Sequence, residues 1–172
     1  MIGAPATRRN ERSDRVKPHV YKTVVAAEWI DYNGHMRDAH YGLVFSHAVE
    51  SFEIALGMDA AYRKATGCTF YLIEDHCFYL SEVKEGDPLS VEIRVLEHDE
   101  KRILLHQTMT SRGTVAAVSE YMELHVSQQD TPRAAPMPEA MQQILRDARL
   151  SAEETAGLRH RARPMGLTRG RA

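Results

Sequence analysis

Cysteine is scarce in this sequence, which has Cys68 and Cys77 in 172 residues. Neither has a second cysteine two or four residues away, as a zinc ribbon would require, and two residues do not make a disulfide framework. Both are expected to be free thiols in a reducing compartment. No cluster of His, Cys and acidic residues has the spacing of a metal site, so the sequence predicts no bound metal.

Long apolar runs are also missing. No window approaches the roughly 18 consecutive apolar residues of a membrane-spanning helix. The first fifteen residues are polar and charged, without the apolar centre of a secretory signal. These absences predict a cytoplasmic protein with no membrane partner. Glycine-rich phosphate loops and alternating strands and helices are absent as well, so a Rossmann or P-loop nucleotide site is not supported.

The net charge of −2 is distributed unevenly. Residues 19–132 carry nine basic and eighteen acidic side chains, whereas residues 1–18 and 133–172 are both basic. The acidic body repels phosphate backbones, so the sequence predicts no nucleic-acid partner. If a charged small molecule binds the body, the field favours a cation. An acidic excess more often serves only solubility.

The order of elements predicts a single α+β domain at residues 19–127. A mobile tail precedes it at residues 1–18. Residues 128–172 are predicted to form a Pro-containing linker, a short helix and an Arg-rich tail, with the last twenty or so residues loose. Such a domain consists of one long helix and an antiparallel sheet.

Hydrophobic periodicity gives the predicted boundaries. The first strand covers residues 20–30, and the long helix starts at Asp38, a candidate N-cap, and ends at Gly57. Asn33-Gly34 marks a tight turn between them. Four later strands are predicted at residues 69–80, 89–95, 102–111 and 114–126, and short helices at 59–66 and 139–149.

The densest chemistry lies in the string WIDYNGHMRDAHY, from Trp29 to Tyr41. Asp31, Asn33 and His35 fall at the junction of strand and helix, where unpaired helix N–H groups favour negative charge. A carboxylate beside an imidazole can activate water, and helix N–H groups can stabilise an oxyanion. The pattern favours hydrolysis or acyl transfer. The alternative is that these residues only form the turn and cap the helix.

This segment resembles the hotdog-fold acyl-CoA thioesterases, in which such a string precedes a long helix. Its extended form, W-x-D-Y-N-G-H-x-R-D-A-x-Y, is similar to the betainyl-CoA thioesterases of carnitine breakdown. Further matching positions are Phe45-Ser46, the Leu-x-Glu-x-His string of Leu72, Glu74 and His76, and Glu82-Val83-Lys84. The likeness spans residues 19–127.

The resemblance implies a hotdog fold, in which a five-stranded antiparallel sheet wraps one long central helix. It implies a homodimer or homotetramer with active sites at subunit interfaces. It also implies hydrolysis without a metal and with no cofactor beyond the CoA of the substrate.

By the same resemblance, Asp31, Asn33 and His35 form the catalytic set. Many relatives carry an aspartate where this sequence has Asn33, so the group that delivers the water is left open. The backbone N–H groups of Gly34, His35 and Asp38, at the helix N-terminus, are implied to hold the oxyanion.

Glu74 and His76 are two residues apart on one predicted strand, so they are expected to share a face. That face is otherwise predicted to hold Phe70, Leu72, Phe78 and Leu80. A carboxylate and an imidazole in such surroundings need partners. They either counter a cationic acyl group bound by the partner subunit or form a polar pair at the sheet edge. Aromatic side chains can bind a trimethylammonium group. The candidate substrate-binding residues are Trp29, Tyr32, Tyr41, Glu74 and His76.

The predicted function is hydrolysis of a short acyl-CoA thioester, with betainyl-CoA as the substrate that the resemblance favours. One alternative is a thioesterase for a neutral or aromatic short acyl-CoA. The other is a hotdog domain that binds acyl-CoA without catalysis.

Overall fold

A computed structural model describes residues 17–165 of the chain. Its sheet is antiparallel, in the order β1-β3-β4-β5-β2, so that β1 and β2 lie at the two edges. The strands are β1 (His19–Val24), β2 (Cys68–Tyr79), β3 (Pro88–His98), β4 (Arg102–Ser111), β5 (Thr114–Ser127) and the short β6 (Arg133–Ala134), which pairs with β5. The helices are α1 (Asp38–Ala55), α2 (Ala60–Thr66), α3 (Glu139–Ala148) and α4 (Ala152–Ala156).

The long helix α1 forms the centre of the core. Its buried residues recur at spacings of three and four and form one face, as expected for a helix packed on a sheet: Tyr41, Val44, Phe45, Ala48, Val49 and Phe52. Strand β3 buries every second residue from Leu89 to Val95 against the same core. The predicted α+β hotdog arrangement is confirmed. None of the helices between residues 17 and 165 has the length and apolar character needed to span a membrane.

The first strand is shorter than predicted. It ends at Val24, and a 3₁₀ turn at Ala27–Trp29 replaces the rest of the predicted strand. Val24 pairs with Pro88, the first residue of β3. One further residue still follows the ladder, since the Val25 N–H donates to the Asp87 carbonyl at 3.0 Å, but the Val25 carbonyl accepts from the Gly86 N–H at 2.9 Å, so the regular register ends in the turn before β3. The chain is thereby turned towards the start of α1.

The start of α1 differs from the prediction by one residue. Arg37 occupies the cap position, and Asp38 is the first helical residue. The Asp38 carboxylate accepts a hydrogen bond from the Ala39 N–H at 2.9 Å, so it does not cap the helix from outside. At the other end, Leu56 is the C-cap and Gly57 follows with φ of +97°, as predicted for a helix C-terminus.

Strand β2 contains a bulge that the sequence does not reveal. Leu72 pairs with Glu123 of β5, but Glu74 pairs with Met122, which leaves Ile73 as an extra residue. Glu123 shares a sheet face with Tyr121, whose hydroxyl donates to a carbonyl of α1 at 3.4 Å. Leu72 therefore belongs to the face that covers α1, and Glu74 belongs to the outer face. The predicted common face is wrong, because the bulge separates Phe70 and Leu72 from Glu74, His76 and Phe78.

The C-terminal segment is ordered where it was predicted to be loose. Helix α4 has a complete capping box between Ser151 and Glu154. The following residues cross the outer face of the sheet, where the Arg159 carbonyl accepts from His106 at 3.2 Å and Arg161 pairs with Glu120. The prediction is wrong for residues 152–165. Residues 166–172, and residues 1–16 of the predicted N-terminal tail, lie outside the described part of the chain.

Removal of the Arg161 side chain is expected to destabilise the fold. Glu120 is 4% exposed and would lose its charge partner. A buried charge without a partner is costly, and the partial exposure of Arg161 reduces that cost to about 1–3 kcal/mol. Thermal unfolding of Arg161→Ala should show a Tm lower by about 2–4 °C for each kcal/mol. Arg159→Ala removes an exposed side chain of the same type and should leave Tm unchanged. Equal Tm values for both variants would contradict the role of the pair.

Two carboxyl groups face each other between α1 and the sheet. Burial raises the pKa of Glu53 to about 8, and the neighbouring Glu123 and Glu50 add to the shift. Burial also raises the pKa of Glu123 to about 7. Both groups therefore keep their protons in the folded state at pH values where the unfolded chain has lost them.

The free energy of unfolding is expected to fall as the pH rises from about 5 to about 8. In that window the unfolded chain gains stability by releasing protons that folded Glu53 and Glu123 still hold. Glu53→Gln removes one of these titrations. Its Tm should exceed that of the wild type at pH 8 by several degrees and should approach it at pH 5, as measured by thermal unfolding across this range. If the Tm of the wild type and that of Glu53→Gln fell equally as the pH rose, Glu53 would not be one of the titrating groups.

Candidate active site

The loop between the 3₁₀ turn and α1 is closed by its own backbone. The Asp31 N–H donates to the His35 carbonyl at 2.9 Å, and the Gly34 N–H donates to the Asp31 carbonyl at 3.0 Å. Gly34 has φ of +81°, a conformation that glycine adopts without steric cost. Asn33-Gly34 thus forms the predicted tight turn, and residues 31–35 are held as a compact unit in front of the helix.

The Asp31 carboxylate folds back over this loop. One oxygen accepts from the Asn33 N–H at 2.8 Å and, at 3.4 Å, from the His35 N–H; the other lies 3.4 Å from the Asn33 side-chain nitrogen. The hydrogen bond from the Asn33 backbone is the main cause that holds the pKa of Asp31 below its usual value. Asp31 is therefore ionised at neutral pH and fixed in direction.

His35 is held by a carboxylate from another part of the chain. Its Nε2 lies 3.1 Å from an oxygen of Glu82, in the segment that follows β2. That segment is anchored beside the loop because the Met36 N–H donates to the Val83 carbonyl at 2.9 Å. A carboxylate–imidazole pair of this kind orients the ring and supports the charge that forms when the ring takes a proton. Glu82 was not among the predicted site residues, although Glu82-Val83-Lys84 belonged to the matching strings.

These groups open into one cavity of about 590 Å³. The polar wall comes from the loop, from Asp38 and from Glu82, and the apolar wall comes from Met36, Tyr41 and residues 79–80. The Tyr41 hydroxyl donates to the Ser81 carbonyl at 3.2 Å, which fixes the chain after β2 against the helix. The cavity therefore has a charged end beside an apolar surface, as a site for an acyl ester requires.

The backbone N–H groups near the helix start are mostly occupied. Those of Gly34, Met36 and Arg37 donate to the carbonyls of Asp31, Val83 and Trp29. Between residues 17 and 165, no group accepts a hydrogen bond from the Asp38 N–H. This N–H lies in the first turn of an 18-residue helix, where the helix dipole favours negative charge. Of the three predicted oxyanion donors, Asp38 therefore has the backbone N–H that is most available to hydrogen-bond an oxyanion.

A family profile matches this framework. The profile of the thioesterase-like superfamily covers residues 25–145, which include the loop, α1 and all strands of the sheet after β1. The chain belongs to the thioesterase-like superfamily. The prediction of a thioesterase is thereby confirmed.

Two curated relatives of this thioesterase are informative. The betainyl-CoA thioesterase of Pseudomonas aeruginosa is 45% identical over 118 residues, which are 67% of this chain and 74% of that protein. The L-carnitine dehydrogenase/betainyl-CoA thioesterase of Agrobacterium fabrum is 39% identical over 127 residues, which are 73% of this chain. The match covers 26% of that protein, so the thioesterase chain spans about a quarter of its length.

A solved structure agrees with the fold. A Staphylococcus aureus protein determined in complex with CoA superimposes with a TM-score of 0.73 and 28% identity. The match covers 86% of this chain and 98% of that one. The hotdog fold of the thioesterase is therefore shared over nearly its whole described length.

The thioesterase structure assembles some of the predicted site residues in the cavity. Asp31, Asn33, His35, Asp38 and Tyr41 line it together. Two predicted aromatic contacts lie elsewhere: the ring that precedes the loop, Trp29, stacks on His40 at 5.6 Å, and Tyr32 is 96% exposed. Neither contributes to the cavity wall of the single chain.

Glu74 and His76 lie on the outer face of the thioesterase sheet. The His76 Nε2 is 3.0 Å from a Glu74 oxygen, and the Glu74 side chain is 67% exposed. The pair is thus largely solvated, and the single chain does not bring it near Asp31. Within residues 17–165, no three His, Cys, Asp or Glu side chains are grouped as they would be to hold a metal ion. Cys68 and Cys77 are free thiols.

Proposed function

We propose that this protein hydrolyses betainyl-CoA to glycine betaine and CoA. One observation supports hydrolysis: ionised Asp31 and the His35–Glu82 pair line the same cavity, next to the N-terminus of α1. The choice of acyl group is supported by the 45% identity to the Pseudomonas aeruginosa enzyme. The acidic body of the chain also suits a cationic acyl group.

In the proposed mechanism, Asp31 and Asn33 position a water molecule at the thioester carbonyl. The imidazole of His35 takes a proton from this water, and Glu82 stabilises the resulting charge. The water oxygen bonds to the carbonyl carbon, and the oxyanion forms at the Asp38 N–H. Collapse of the intermediate breaks the carbon–sulfur bond. The proton on His35 then passes to the CoA sulfur, which leaves the free acid and CoA. These side chains supply every step, with CoA entering as part of the substrate.

We also propose that the active form is a dimer that pairs through β2. This edge strand and the residue directly after it expose a set of large apolar side chains: Tyr71, Leu72, Ile73, Tyr79 and Leu80. A long apolar edge strand readily pairs with another strand. Antiparallel pairing about a two-fold axis would place the start of one β2 beside the end of the other. The cavity at residues 79–82 would then be completed by the second copy. A homotetramer is left open.

The test is thiol release from a panel of acyl-CoA esters: betainyl-, acetyl-, butyryl- and benzoyl-CoA. We expect kcat/KM for betainyl-CoA to exceed the others by at least tenfold. Equal or faster hydrolysis of butyryl- or benzoyl-CoA would support a thioesterase for neutral or aromatic acyl groups instead, which the apolar cavity wall of Tyr41 and Tyr79 could accommodate. Binding of these esters without release would support the non-catalytic alternative.

A further inference from the structure

A second cavity of about 450 Å³ lies between the middle of α1 and the sheet. Three acidic side chains line it: Glu50 and Glu53 from α1 and Glu123 from β5. We call this cavity the acid pocket. Glu123 is 4% exposed and lines this cavity. Among residues 17–165 it has neither a hydrogen-bond donor nor an ion-pair partner. A buried carboxylate without a partner is costly, and a ligand that supplies the missing partner would remove the cost.

The cation beside the acid pocket does not neutralise it. Arg63 of α2 reaches the cavity, but its guanidinium donates to the Met58 carbonyl at 3.0 Å. No carboxylate within the described residues lies in ion-pair distance of Arg63. Burial raises the pKa of both Glu53 and Glu123, and Arg63 offsets this only in part at Glu53, so the two groups hold protons while the pocket is empty and release them when a cation binds. The pocket is thus arranged for a cation that the chain itself does not provide.

Aromatic surface adjoins the carboxylates. Phe70 and Tyr121 line the same cavity, from β2 and β5. A quaternary ammonium group has no N–H to donate, so it is bound by carboxylate charge and by aromatic faces. This combination is more suited to a trimethylammonium group than to a metal ion, which would require oxygen ligands in close coordination.

We propose that the acid pocket receives the quaternary ammonium head of the acyl group and thereby determines substrate selectivity. This inference rests on the proposed function. It assigns the selectivity to Glu53 and Glu123, whereas the sequence suggested Glu74.

The acid pocket meets the catalytic cavity only across a dimer. Asp38 and Glu53 are fifteen residues apart on α1, or about 22 Å. The ammonium nitrogen of betainyl-CoA is two bonds from the carbonyl carbon, so one chain cannot hold both groups. The acid pocket borders the start of β2 at residues 69–72, and the catalytic cavity borders its end at residues 79–82. Two-fold pairing of β2 would place one beside the other.

The experiment compares kcat/KM for betainyl-CoA with that for 3,3-dimethylbutyryl-CoA, a neutral analogue in which carbon replaces the ammonium nitrogen. Glu53→Gln and Glu123→Gln keep side-chain shape but cannot ionise when a cation binds. We expect the ratio of the two kcat/KM values to fall at least tenfold in each variant. The control Glu85→Gln removes a charge from the exposed turn before β3 and should keep the wild-type ratio. A wild-type ratio in both pocket variants would overturn the inference, as would a fall confined to Glu74→Gln.

A binding measurement keeps this result separate from the proposed function. Tetramethylammonium chloride should raise the Tm of the wild type, relative to sodium chloride at equal concentration, and should have no such effect on Glu123→Gln. Wild-type protein that shows this shift without hydrolysing betainyl-CoA would overturn the proposed function and support the pocket. Wild-type protein that prefers betainyl-CoA but shows the same shift as Glu123→Gln would overturn the pocket alone.

Discussion

Asp31→Asn is expected to lower kcat for thioester hydrolysis by about 10²- to 10³-fold. The carboxylate is ionised and directed by the Asn33 and His35 N–H groups, so it presents a fixed negative charge to water and to the imidazole. Asparagine preserves the size of the side chain but removes this charge. A group that positions and polarises the attacking water contributes a factor of this order. Steady-state thiol release, measured at saturating substrate, gives the change directly.

The control for this prediction is an aspartate in a similar local role. Asp59 caps α2 by accepting from the Tyr62 N–H at 2.8 Å and lies outside the catalytic cavity. Asparagine is an equally good N-cap, so Asp59→Asn should keep both Tm and kcat. If Asp31→Asn kept more than a third of the wild-type kcat with an unchanged Tm, Asp31 would serve only to shape the turn, and the water would need another activator.

Ile73→Lys is expected to convert the proposed dimer to monomers and to reduce activity more than tenfold. Ile73 is the extra residue of the β2 bulge and is 51% exposed at the sheet edge. A lysine on an edge strand opposes pairing with a second copy, because two like charges would be brought together across the axis. Loss of the pair would leave the cavity at residues 79–82 open on one side. Light scattering after gel filtration measures the mass, and thiol release measures the activity.

The opposite edge of the sheet offers the control for the dimer prediction. Val24 lies at the end of β1 and is 55% exposed, so Val24→Lys places the same charge on the other edge strand. It should leave both the mass and the activity as in the wild type. Full activity of a wild-type protein that runs as a monomer at assay concentration would refute the dimer and, with it, the shared site.

Local patterns in the sequence were sufficient for the central helix and the loop before it. Spacings of three and four place Val44, Ala48 and Phe52 on one face, and Asn33-Gly34 requires a turn, because both features depend on neighbours in the chain. The bulge at Ile73 depends on the register of β2 against β5, which only the folded sheet sets. This one residue reverses the orientation of Glu74 and so alters the substrate-binding hypothesis.

Contacts between distant segments account for the remaining differences. His35 and Glu82 are 47 positions apart, and Glu53 and Glu123 are 70 apart, so neither pair has a spacing that suggests an interaction. Arg161 lies in the Arg-rich tail that was predicted to be loose, and no local pattern marks its partner, Glu120, which lies inside an otherwise regular strand. The sequence contained each of these residues, but their pairing follows from the path of the chain across the sheet.

The ion pair between Glu120 and Arg161 has a consequence for biosynthesis. Arg161 is added to the growing chain 41 residues after Glu120, when all strands of the main sheet have already been made. Among residues 17–165, Arg161 is the residue that forms an ion pair with Glu120, so a chain that stops before this position leaves the outer-face carboxylate without its counter-charge. The outer face is complete only in a chain that extends through residue 161, so the last step of folding requires that segment.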